Sequence, residues 1–137
     1  MSQMSFHNNF SFNNLIHTHT HTTLPIIQRF VDIYKLWDKF RNNIPRQSRF
    51  TLGTKLDSLF LDILELLFIA GYLSKEQKIP ILEKSRNKLD LLKFFFQISW
   101  EIKILDDKKY IALSEKLNET GRMLGGWIRG LQNKTPA

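Results

Sequence analysis

The sequence predicts an all-α fold, an up-down-up-down antiparallel four-helix bundle, from three observations. Apolar residues recur at alternating steps of three and four, which places them on one face of a helix. No stretch shows the strict alternation of apolar and polar residues that is typical of a half-buried strand. Proline, glycine and capping residues divide the pattern into four segments of about 20 to 30 residues, and short connections between such segments favour antiparallel neighbours.

The first helix is predicted to begin at Thr22 or Thr23, because Pro25 then lies in the first turn, where its missing N–H costs nothing. It is predicted to end before Pro45, which cannot continue it. Its apolar stripe comprises Ile26, Phe30, Ile33, Trp37, Phe40 and Ile44.

The second helix is predicted from about Thr51 to Gly71, which we expect to cap its C-terminus. Two stripes on it are apolar, and a helix that is apolar on more than one face is buried by more than one neighbour. The main stripe comprises Leu52, Leu56, Leu59, Ile63, Leu66 and Ala70, and the second comprises Leu61, Leu64 and Phe68.

The third helix is predicted to begin between residues 75 and 79 and to run to about Leu105. Ser74 and Gln77 have capping-box spacing, whereas Pro80 is expected only in a first turn. This helix also has two stripes: Leu82, Leu89, Leu92 and Phe96, and then Leu91, Phe95, Ile98 and Ile102. The second stripes of helices two and three exceed what one small bundle can bury, so contact with other copies of the chain is predicted. The alternative is that helix two simply lies at the centre.

The fourth helix is predicted to begin at Asp106 and Asp107, whose carboxylates suit its positive N-terminal end. Its stripe comprises Tyr110, Leu113, Leu117, Thr120, Leu124, Trp127 and Leu131. Glycines at four-residue spacing lie inside this helix, and each costs about 0.8 to 1 kcal/mol relative to alanine. Close approach of a neighbouring backbone would compensate. The predicted helix-contact residues are therefore Gly121, Gly125 and Trp127.

Length and composition limit the possible functions. The 137 residues suit one domain, which we assign to residues 24–137, while residues 1–23 carry no Asp, Glu, Lys or Arg and are predicted to be a disordered polar extension. There are no cysteines, and all four histidines lie in that extension. His17, His19 and His21 could in principle bind a metal, but an unstructured tract is the favoured interpretation. The folded part thus lacks the usual catalytic bases and nucleophiles, so no enzyme activity, metal or cofactor is expected.

The net charge of +7 favours a polyanionic partner, and the alternative is a solvated basic face. The basic residues are spread over several elements, which suits contact with RNA or DNA phosphates irrespective of sequence. The predicted binding residues are Arg46, Arg49, Lys55, Lys93, Arg122 and Arg129.

No apolar run could span a membrane, no signal peptide is evident, and no helix pattern suits a membrane surface, so a cytoplasmic location without a membrane partner is predicted.

Two stretches together resemble a known family. The sequence from Ile44 to Gly53, which leads into an apolar helix ending at Gly71, and the Gly-Arg-Met-Leu-Gly-Gly-Trp-Ile segment at 121–128 are similar to the accessory variability determinant (Avd) proteins of diversity-generating retroelements. The resemblance covers about residues 24 to 134 and implies a four-helix bundle that assembles into a basic, barrel-like homopentamer. It also implies a non-catalytic protein that binds the element's reverse transcriptase and nucleic acid and supports error-prone copying of a template repeat, which diversifies a target gene.

The C-terminal segment is also similar to the four-helix proteins encoded in ribosomal-RNA intervening sequences. The alternative function is therefore a stand-alone oligomeric four-helix protein of that type, structural or of unknown role, without a polymerase partner. A neighbouring reverse-transcriptase gene and two near-identical repeats that differ at adenines would distinguish the retroelement from this alternative.

Overall fold

The computed structural model describes residues 23–133, which contain four long helices and no strand. The helices are α1 (Thr23–Arg41), α2 (Thr54–Ala70), α3 (Lys75–Glu101) and α4 (Asp107–Asn133). Thr23, the last residue of the predicted extension and one of the two predicted helix starts, is the first residue of α1. The remainder of the predicted extension, with all its histidines, lies outside the described residues.

The helices form an antiparallel bundle in which each packs against two neighbours, including α1 against α4. In each pair of neighbouring helices, the contacts run to higher residue numbers on one helix and to lower residue numbers on the other, so the two helices are antiparallel. The pairs are Phe30 with Phe60 and Trp37 with Asp57, Lys55 with Phe95 and Asp62 with Lys88, Lys93 with Gly121 and Trp100 with Tyr110, and Arg29 with Glu119 and Phe40 with Lys109.

Four fully buried aromatic rings from three helices form the centre of the core. Phe60 of α2 lies between Phe30 of α1 and Phe96 of α3, with ring centroids 5.4 and 5.9 Å away. Trp37 meets Phe96 edge to face at 5.2 Å. Such pairs contribute about 0.5 to 1.5 kcal/mol each beyond the burial of their area.

The main predicted stripes are confirmed as the core. Their buried members are Ile26, Phe30, Ile33, Trp37, Ile44, Leu56, Leu59, Ile63, Ala70, Leu82, Leu89, Leu92, Phe96, Leu113, Leu117, Thr120, Leu124 and Leu131. The stripe spacing missed Phe60, Leu67 and Ile128, which are also buried. On α4 the prediction chose Trp127, which is only half-buried, because a strict seven-residue repeat drifts by about 20° per heptad against a straight helix.

The connection before α2 differs from the prediction. The residues between Pro45 and regular α2, of which only those from about Thr51 were predicted to be helical, form one α-helical turn, Arg46–Ser48, followed by one π-helical turn, Arg49–Gly53. We call these eight residues the 46–53 turn. Regular α-helix therefore begins at Thr54 rather than at about Thr51. At the other end of α2, Gly71 is the C-terminal cap residue, as predicted, and its dihedrals are right-handed helical.

The start of α3 lies within the predicted range, whereas its end required correction. Its N-terminus is Lys75, where the Ser74 N–H donates to Gln77 Oε1 at 3.3 Å. Pro80 lies in the second turn rather than the first; the carbonyl that it leaves unpaired belongs to exposed Glu76, where water can satisfy it. The helix ends at Glu101, before the predicted Leu105, because Lys103 has a positive φ of 66°.

The start of α4 was predicted correctly. Asp106 Oδ1 accepts a hydrogen bond from the Lys109 N–H at 2.8 Å, as an N-terminal cap should.

Several members of the predicted second stripes lie at the surface, among them Leu61, Leu91 and Ile102. Within residues 23–133, none of the helices is both long and apolar enough to cross a membrane.

Candidate functional site

A groove of about 370 Å³ lies between α3 and α4 and is lined by all three predicted binding residues of those two helices. We call it the α3–α4 groove. Its lining comprises Arg86, Leu89, Asp90, Lys93, Asn118, Gly121, Arg122, Gly125 and Arg129.

Helical spacing explains why these side chains meet. Arg86, Leu89 and Lys93 follow one another at steps of three and four on α3. On α4, Gly121, Gly125 and Arg129 follow one another at steps of four. Because the two helices run antiparallel, the two sets form opposite walls of one groove. Residues far apart in sequence thus contribute to a single cationic surface.

The glycines leave room for cationic side chains. A Cβ built on Gly121 would lie 3.3 Å from Lys93 Nζ, and one on Gly125 would lie 3.3 Å from Arg129 Nη1. For Gly126 and Gly130, no neighbouring atom lies closer than 3.9 Å to such a Cβ. Within the described chain, the close approach of another helix backbone that we predicted for these glycines is therefore absent. Contact between them and another copy stays a prediction.

Positive charge exceeds negative charge in the groove. Arg86 pairs with Glu83, and Lys93 Nζ lies 3.7 Å from Asp90 Oδ1. Arg122 and Arg129 have no acidic partner within 4.0 Å among residues 23–133. The pairs that do form are partly exposed, and such surface pairs are weak enough to exchange for a bound phosphate.

The remaining predicted binding residues lie elsewhere. Arg46 and Arg49 are exposed on the 46–53 turn, and neither lines the α3–α4 groove. Lys55, in the first turn of α2, places its Nζ 5.8 Å from the centroid of the Phe95 ring. The six predicted cations therefore do not form one cluster: three line the groove, two lie on the 46–53 turn, and Lys55 lies over the Phe95 ring.

The predicted helix-contact residue Trp127 is half-buried and packs against the core cluster. Among the described residues, no cluster of three or more His, Asp or Glu side chains has an arrangement that could hold a metal ion.

Comparison with protein families gives a match that spans the bundle. The model of the bAvd-like family matches residues 24–131, which include nearly all of α1 and α4 and everything between them. The chain belongs to the Avd family. At family level it is an accessory protein of a diversity-generating retroelement, and the family is one of accessory, non-catalytic proteins. A comparison with curated proteins finds no significant match.

In this Avd-like chain, the structure adds Arg86, Asp90 and Asn118 to the predicted site. Arg86 could have been found from its seven-residue spacing to Lys93, which places both on one face of α3. Asn118 precedes Arg122 by one turn on α4 and could have been found in the same way.

Two other lysines of the Avd-like chain face away from the groove. Lys84 and Lys88 line a separate pocket between α2 and α3 together with Asp62 and Glu65. Lys88 Nζ lies 3.2 Å from Asp62 Oδ2. These lysines therefore balance acidic side chains of α2 and do not add to the cationic surface of the groove.

Proposed function

We propose that this Avd-like protein is an adaptor that binds the reverse transcriptase of its retroelement together with RNA or DNA, irrespective of base sequence. In this role it supports error-prone synthesis of template-repeat cDNA and so the diversification of a target gene. The observation that carries the proposal is the α3–α4 groove, where Lys93, Arg122 and Arg129 converge.

The chemistry of the groove favours phosphate over base edges. Arginine guanidinium groups can donate two parallel hydrogen bonds to one phosphate, and Arg122 and Arg129 are both exposed without acidic partners in the described chain. The cations come from two helices lying side by side, which gives a surface for a backbone to cross rather than one helix that enters a groove of duplex DNA. Binding is then largely electrostatic and sensitive to salt.

Family membership supports the second partner. An accessory protein of a retroelement acts where the element's reverse transcriptase copies its template. A surface that binds nucleic acid would therefore also hold this template, the substrate of the enzyme, close to the enzyme. We propose that the cationic groove and the arginines of the 46–53 turn also face acidic groups of that enzyme, because complementary charge guides association and orientation.

We further propose that the protein is a homopentamer. The predicted second stripes of helices two and three leave large apolar side chains exposed, among them Leu61 at 51%, Leu91 at 39% and Ile102 at 57%. Contact with other copies would cover this surface. Light scattering coupled to size exclusion should report five copies, and a monomer at micromolar concentration would refute the assembly.

The binding proposal is tested by reversing two charges of the groove. Arg122→Glu/Arg129→Glu should fold normally, since both side chains are exposed. Its affinity for single-stranded RNA should fall, and the slope of log affinity against log salt should decrease by about two, one for each lost phosphate contact. Capture of the cognate reverse transcriptase in a pull-down should also weaken.

A matched control separates the groove from net charge. Lys35→Glu/Lys75→Glu makes the same change in charge at two exposed positions that do not line the groove. It should retain most of the affinity and of the salt slope. Equal losses in both variants would mean that only net charge matters. Unchanged binding to RNA and enzyme in the groove variant, with the fold intact, would instead favour a stand-alone protein of the intervening-sequence type.

A further inference from the structure

The most exposed large apolar side chain among the described residues is that of Phe50, at 71%. It lies in the π-helical part of the 46–53 turn. Single π-helical turns are rare and occur frequently at functional sites. Other aromatic side chains are exposed as well, among them Phe94 at 52%, but Phe50 is the one in this π-helical turn.

The 46–53 turn presents Phe50 beside two arginines. Arg46, Arg49 and Phe50 are spaced at i, i+3 and i+4 in a continuous helical stretch that leads into α2, which places the three side chains on one face. Two hydrogen bonds hold the backbone of the turn: the Arg49 N–H donates to Pro45 O at 3.1 Å, and the Thr54 hydroxyl donates to Arg49 O at 3.2 Å.

Among the described residues, no acidic side chain pairs with the two arginines and no aromatic or cationic side chain packs on the ring. Neither Arg46 nor Arg49 has an acidic group within 4.0 Å in the part of the chain that the structure describes. Over the same residues, no aromatic ring or cation packs on Phe50. The patch thus combines an open ring face with two guanidinium groups that lack anions.

A ligand that complements this patch needs a flat aromatic face and negative charges close to it. An unpaired nucleotide has both, because every base has a π-face and is joined to phosphates. In a duplex the base faces are covered by stacking within the helix, so a duplex could contact only the arginines. A purely apolar protein surface would cover the ring but leave both guanidinium groups without a counter-charge.

We propose that Arg46, Arg49 and Phe50 form a binding site for an unpaired nucleotide of a single strand. The base stacks on the Phe50 ring, and the guanidinium groups contact its flanking phosphates. This inference rests on the proposed function, in which the protein binds nucleic acid, and adds that one of its surfaces selects single strands. The α3–α4 groove contacts phosphates alone and does not make this distinction.

The test replaces the ring while keeping an apolar side chain. Binding of Phe50→Leu should be measured at one salt concentration with a single-stranded RNA, with an abasic strand of the same length and with a duplex. Stacking on an aromatic residue contributes enough per base that the affinity for the RNA should fall by about fivefold or more. Binding to the abasic strand and to the duplex should stay unchanged, and Phe50→Trp should keep the affinity of the parent for the RNA.

Phe94→Leu is the matched control, because Phe94 is also exposed, at 52%, but lies on α3 outside the patch. It should bind all three probes like the parent. If Phe50→Leu and the parent bind the single strand equally, the stacking site is refuted while the groove stands. A change of assembly mass in Phe50→Leu without loss of single-strand preference would show that Phe50 contacts another copy and would also refute the site. If the parent binds none of the probes, the proposed function itself is wrong.

Discussion

The buried indole of Trp37 donates its Nε1–H to Asp57 Oδ1 at 2.8 Å and so joins α1 to α2. The other carboxylate oxygen of Asp57 accepts a hydrogen bond from Arg41, which also pairs with Asp38. Burial by itself lowers the pKa of Arg41, but the hydrogen bond and the charge of Asp57 outweigh this, and the pKa is raised overall. Asp57 is thus the shared acceptor of two side chains at one end of the bundle.

Asp57→Ala should lower the free energy of unfolding by about 1 to 3 kcal/mol, because it leaves the buried indole N–H and the Arg41 guanidinium without their acceptor. Denaturant titration measures this loss. Asp38→Ala is the control: it removes a more exposed partner of Arg41 and should cost less than about 0.5 kcal/mol. Equal losses in the two variants would contradict a special role for Asp57.

Ser85→Ala should stabilise the protein by about 1 kcal/mol, since the Ser85 hydroxyl is buried in α3 without a hydrogen-bond partner in the described chain. Ser99 offers a comparison, because its equally buried hydroxyl donates to Phe95 O at 2.8 Å. Ser99→Ala should therefore give little or no gain. Thermal unfolding of both variants checks the difference, and a loss of stability in Ser85→Ala would show that its hydroxyl has a partner.

Lys103→Gly should raise the free energy of unfolding by about 0.5 to 1 kcal/mol relative to Lys103→Ala. Lys103 has a φ of 66° in a Schellman motif, in which the Ile104 N–H donates to Ser99 O and the Lys103 N–H donates to Trp100 O. Glycine adopts this conformation without steric cost, whereas alanine keeps the Cβ and removes only the part of the side chain beyond it. Indistinguishable melting of the two variants would argue against strain at this position.

Gly130→Ala should stabilise α4 by about 0.8 to 1 kcal/mol, because no side chain or other helix among the described residues lies within 4 Å of the added Cβ and alanine is the better helix former. The gain should be smaller for Gly121→Ala, whose Cβ would press on Lys93 Nζ at 3.3 Å. Denaturant unfolding of the two variants gives the comparison. Destabilisation by Gly130→Ala would indicate that another copy of the chain approaches that glycine.

Lys78 should make stability depend on alkaline pH. Only 7% of Lys78 is exposed, and burial lowers its pKa below the ordinary lysine value, although its Nζ donates to Leu73 O at 2.8 Å. The unfolded chain then binds this proton more tightly than the folded chain does. The free energy of unfolding therefore rises with pH between the lowered pKa and the ordinary lysine value of about 10.4.

Lys78→Met removes this titration, so the stability of the parent relative to the variant should increase as the pH approaches about 10. Urea unfolding of both proteins at neutral and alkaline pH measures the difference, in which the titration of all other groups cancels. A difference that stays constant with pH would show that Lys78 keeps its ordinary pKa.

The sequence by itself determined the features that depend on local chemistry. The cap at Asp106 was predictable because a carboxylate satisfies the free N–H groups of the next turn, whatever the rest of the chain does. The stripe on α1 was predictable because helical geometry places residues such as Phe30 and Trp37 on one side. The stretch from Ile44 to Gly53 and the motif around Gly121 together predicted the Avd family, which the family match confirms.

Only the tertiary structure decided how the helices lie against one another. Periodicity states which face of a helix is buried, but not the rotation and offset that place Lys93 of α3 over Gly121 of α4. Those depend on how the whole core packs, including Phe60, which the stripe spacing did not select. The π-helical turn that contains Phe50 likewise came only from the structure, because residue spacing does not reveal such a turn.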